Sequence, residues 1–94
     1  MKVNQRRIAD FEEDLRKAFQ VKSLTIEDES HLHTGHAGAA SGGGHFKLEI
    51  VAPEFKGLNP VARHRAVYSA LSCHIPREIH ALTISALSPD EVSP

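Results

Sequence analysis

The chain holds a single cysteine, Cys73, among 94 residues. One thiol cannot close an internal disulfide, which points to a reducing compartment. Neither sign of charge is in excess: 11 Lys and Arg stand against 12 Asp and Glu, a formal net charge of −1. That balance excludes a generalised polyanion binder and leaves room only for a local basic patch. No apolar run approaches membrane-spanning length. The start, Met1 to Arg7, lacks the apolar core of a secretory signal, so a cytoplasmic protein is expected. No pair of carboxylates is spaced for acid–base work. Cys73 reads as a spectator thiol without a partner, because the adjacent His74 would face a different side of a helix. No enzyme is expected.

With 40% hydrophobic residues and no linker or repeat, the sequence fits one domain over 1–94. Ile8, Phe11, Leu15 and Phe19 fall at helical spacing, predicting a helix over 5–19 with Asn4 as its N-cap. Leu24 to Asp28 alternates apolar and polar, as does Phe46 to Val51, predicting two strands with one buried face each. Asn59-Pro60 is a helix start, and Val61 to Leu71 follows, with Val67, Ala70 and Leu71 on the buried side and Val61 and His64 near that flank. His80 to Ala86 reads as a third strand, after Ile75-Pro76. Ser88 and Glu91 are placed for a capping box and a last helical turn. The helix between the second and third strands makes them a parallel pair. The predicted class is α+β: a small three-stranded mixed sheet with helices on one face.

Histidine is what the chain has in quantity. Four of its seven, His31, His33, His36 and His45, crowd the glycine-rich stretch from Ser30 to His45. Imidazole binds borderline metals or changes charge near neutral pH, and a loop of this length is usually functional or disordered. His80 opens the third strand. If that strand runs parallel to the second, their starts are neighbours, and His80 shares one sheet edge with the loop histidines. A closed zinc site takes four ligands, often thiolates, and no spacing here supports an all-histidine one. Two histidines completed by a second protein is the more economical site. Arg63, His64 and Arg65 read either as an exposed helix face with His64 packed at its edge or as a basic patch for a partner or nucleic-acid phosphate.

Taken in order, several segments resemble the BolA family: Ser30 with His31-Leu32-His33, then His45-Phe46, Phe55-Lys56-Gly57, Arg63-His64-Arg65-Ala66-Val67-Tyr68, Ile79-His80-Ala81-Leu82 and Ser88-Pro89-Asp90-Glu91. Each is weak alone, but together they span nearly the whole chain. The resemblance implies a type II KH-like fold, α-β-β-α-β with a short turn or helix before the last strand. It also implies a heterodimer with a monothiol glutaredoxin, bridged by a 2Fe–2S cluster. The glutaredoxin and a bound glutathione would supply thiolates. This chain would supply His80, from the Ile-His-Ala-Leu segment, and His33, three residues after the motif serine. His36, His31 and His45 are the alternatives to His33. No cofactor is expected in the isolated protein. Some BolA-like proteins are described as transcription regulators, so DNA binding through Arg63 and Arg65 is the alternative function. Against generic KH binding, Ser72 to Arg77 contains no Gly-x-x-Gly.

Overall fold

A computed structural model describes residues 2–29, 44–75 and 77–92. Helix α1 spans Lys2–Ala18 and buries Phe11 and Leu15, while Glu12–Arg16 and Glu13–Lys17 pair at i,i+4 on its solvated side. It starts earlier than the sequence predicts, so Asn4 lies within the helix rather than at the position before it. Gln5, Arg6 and Arg7 are unbranched helix formers, and their propensity carries the helix back past the asparagine.

Strands β1 (Ser23–Asp28), β2 (Gly44–Val51) and β3 (Ile79–Leu87) form one sheet in that order. The first pair is antiparallel and the second parallel, as expected from the intervening helix. Alternation sorts the side chains. Leu24 and Ile26, then Phe46, Leu48 and Ile50, then Leu82, Ile84 and Ala86 face the helices and form the core with Phe11, Leu15 and Phe55. The opposite face carries Thr25, Glu27, Lys47, Glu49, Thr83 and Ser85, and faces water.

After β2 a short 3-10 turn, Pro53–Phe55, drops Phe55 into the core, and Gly57 turns the chain at φ 83, a conformation glycine adopts without strain. Asn59 then caps α2 (Pro60–Ala70), its side-chain oxygen accepting the Ala62 amide at 2.8 Å. Val67 and Leu71 are buried, as predicted, but Val61 is 59% exposed and His64 is also exposed. At about 100° per residue Val61 sits roughly 120° around the helix from Val67, off the packed stripe. The helix ends at Ala70, and Ser72–His74 follow as a separate 3-10 turn. A last turn, Pro89–Glu91, has the predicted capping arrangement, with the Ser88 amide donating to Glu91 at 2.9 Å.

Candidate functional site

The two parallel strands are out of step at their start. Gly44 pairs with Ile79, but His45 pairs with Ala81, so His80 is an extra residue in β3. Without it, strand alternation could not turn both Ile79 and Leu82 toward the core. The bulge resets the phase and leaves His80 on the solvated face. There the His80 ring lies 5.3 Å from the ring of His45, while the Nε2 of His45 is enclosed and His80 is exposed. The neighbouring strand starts have therefore brought one loop-end histidine to His80.

His31, His33 and His36 lie outside the described residues. The residues flanking that stretch are described, and both stand beside the histidine pair. Glu29 donates its amide to the carbonyl of His45 at 2.8 Å, and Gly44 donates to the carbonyl of Glu78 at 3.1 Å.

A second cluster was not legible in the sequence. His74 is buried, with its ring edge-on to Phe11 at 4.8 Å. Its Nε2 lies 2.7 Å from Asp14 Oδ2 and its Nδ1 lies 2.6 Å from Glu78 Oε1. Burial pulls the imidazole pKa down, but the hydrogen bonds and charges of Glu78 and Asp14 outweigh it and hold it above the usual 6.5. Asp14 is held below its usual 3.8, chiefly by the His74 hydrogen bond. The same Asp14 oxygen takes a hydrogen bond from the Cys73 thiol at 3.6 Å. Cys73 thus has a partner, contrary to the sequence reading, because a 3-10 turn rather than a longer helix presents both Cys73 and His74 to α1. The only local sign was the His74-to-Glu78 spacing of four; Asp14 lies 60 positions away.

Arg63 is spent inside the fold. Its guanidinium donates to the carbonyls of Leu58 (2.9 Å) and Ala86 (2.8 Å) and forks onto both oxygens of Glu91 (2.6 and 2.9 Å). That hydrogen bond, with the Ser88 amide, pushes Glu91 down to about 2. Arg65 and His64 remain exposed on the same helix.

The fold and its bulge define a small α+β module that presents an imidazole on an open sheet face. A family model described as BolA-like protein matches residues 15–91. The chain is similar to the DNA-binding transcriptional regulator BolA of Haemophilus influenzae, 40% identical over 80 residues, which cover 85% of this chain and 75% of that protein. Among solved structures it resembles the BolA domain of SufE1 from Arabidopsis thaliana, with a TM-score of 0.80, 38% identity, and 92% and 95% of the two chains covered. BolA1 from the same plant gives a TM-score of 0.77 at 34% identity, covering 90% and 94%. The chain belongs to the BolA-like family. No helix among the described residues is long and apolar enough to cross a membrane.

Proposed function

We propose that this protein is a non-enzymatic adaptor that pairs with a monothiol glutaredoxin and co-ligates a 2Fe–2S cluster, in cluster trafficking or iron and redox sensing. The observation that carries the reading is the bulge that exposes His80 beside the flanks of the histidine-rich stretch. Iron–sulfur clusters accept imidazole as well as thiolate, and the described residues fit half of such a site. His80 offers an exposed imidazole, whereas the one cysteine of the chain is turned toward Asp14 of α1. The missing thiolates suit a glutaredoxin cysteine and a glutathione. His33 is the second ligand in this reading. Full extension carries a chain about 13–14 Å over the four residues from Glu29, enough to return to a neighbouring site. The enclosed Nε2 of His45 suits a residue that orients His80 better than one that ligates. Imidazole ligation raises a cluster's potential, and a protonatable ligand makes the cluster easier to release. One thiol and no disulfide fit a cytoplasmic site of action.

Co-expression with a monothiol glutaredoxin should yield a coloured heterodimer whose absorption and visible circular dichroism differ from those of the glutaredoxin alone. His80→Ala should abolish or alter that spectrum. An identical spectrum from the variant removes His80 as a ligand.

The name of the Haemophilus relative favours a second reading, DNA binding. Arg63 is occupied within the chain, which leaves Arg65 as the exposed cation of that motif. Duplex binding measured against salt should lose slope in Arg65→Ala if the helix contacts phosphate. An unaltered slope excludes the helix.

A further inference from the structure

We propose that Asp14, Cys73 and His74 form a second metal site, separate from the His80 face, that takes a zinc-class divalent cation. Their ligand atoms lie within 4.8 Å of one another. A tetrahedral ion with bonds of about 2.0–2.3 Å holds its donors roughly 3.3–3.6 Å apart. The Cys73 Sγ to Asp14 Oδ2 separation of 3.6 Å already fits, and the 2.7 Å between His74 Nε2 and Asp14 need open only slightly. Thiolate, imidazole and carboxylate are the donor types that borderline cations favour, and three protein ligands leave one position open. Glu78 adds the supporting contact such sites use: bonded to Nδ1, it fixes the ring so that Nε2 faces Asp14 and Cys73. Cys73 is exposed, which provides an entry path, and His74 is nearly buried, which holds one ligand rigid.

The exchange balances in protons. The ligands bind in their deprotonated forms, so the incoming dication displaces the Cys73 thiol proton to solvent, together with any proton held between His74 Nε2 and Asp14. Binding therefore strengthens as pH rises. It needs neither a partner protein nor His80.

The chain's one cysteine makes the test specific. Anaerobic titration of the isolated full-length protein with Co²⁺ should produce a near-ultraviolet sulfur-to-cobalt band that saturates at one ion per chain, whatever the other histidines bind. Cys73→Ser should remove the band and Asp14→Asn should weaken or shift it. Glu78→Gln should lower Co²⁺ affinity by about 10–100-fold. His80→Ala should leave all of this intact, so this proposal and the cluster reading fail separately. Absence of the band, saturation at one ion per two chains, or a band indifferent to Asp14→Asn in a variant with native circular dichroism would each overturn the site.

Discussion

His74 and His80 lie close in sequence and carry the same side chain, yet the fold treats them in opposite ways. His74 is packed against Phe11 and clamped at both ring nitrogens by carboxylates. His80 is set by a bulge on the solvated face, beside another imidazole. Buried Ile79 separates the two environments, and Glu78 links them: its side chain holds His74 and its carbonyl accepts the Gly44 amide. Proximity in sequence says little about a histidine's task. What decides it is which face of the sheet it reaches and what waits there.

The largest difference between the two should appear in stability. His74→Ala leaves a cavity beside Phe11 and two carboxylates without the ring nitrogens they bond, at a cost of about 2–4 kcal/mol. His80→Ala, at an exposed position, should stay within about 0.5 kcal/mol of the parent. Urea denaturation of both variants measures this, and equal losses would erase the contrast.

The pH dependence of stability should divide along the same line. The His74 pKa is raised in the folded chain, so its stabilisation is fully present below the unfolded value near 6.5 and is lost as pH rises through the higher folded value. Denaturation midpoints should thus fall on the alkaline side in the parent and in His80→Ala, and flatten in His74→Gln. A decline that persists in His74→Gln would assign the titration to another group.

A smaller contrast repeats the pattern between two arginines. Arg63→Ala should lower the melting temperature, whereas Arg65→Ala should not, because only Arg63 joins α2 to Ala86 and Glu91. The Arg63 effect should fade as pH drops from 4.5 toward 2, since Glu91, depressed to about 2, stabilises the fold above its ordinary pKa and loses that contribution on protonation. Thermal melts at neutral and acid pH compare the two directly.

Features that depend on neighbouring residues could be read from the sequence. The apolar stripe of α1, the Asn59-Pro60 helix start and the Ser88–Glu91 turn each rest on contacts within a few residues, and the parallel pairing followed from chain order. The bulge also left a trace that periodicity alone did not resolve: Ile79 and Leu82 are both apolar, a spacing that breaks the two-residue alternation of a strand. The carboxylate clamp on His74 left almost none, because Asp14 meets it across 60 positions. Arg63 hid its role for the same reason, since Ala86 and Glu91 reach it only after the sheet has formed.

The most direct test of His80's role is pulsed electron paramagnetic resonance on the reduced cluster of the glutaredoxin heterodimer. Strong nitrogen couplings from coordinated imidazole are expected in the parent and in His45→Ala, reduced or lost in His80→Ala. Nitrogen couplings unchanged by His80→Ala would contradict the assignment.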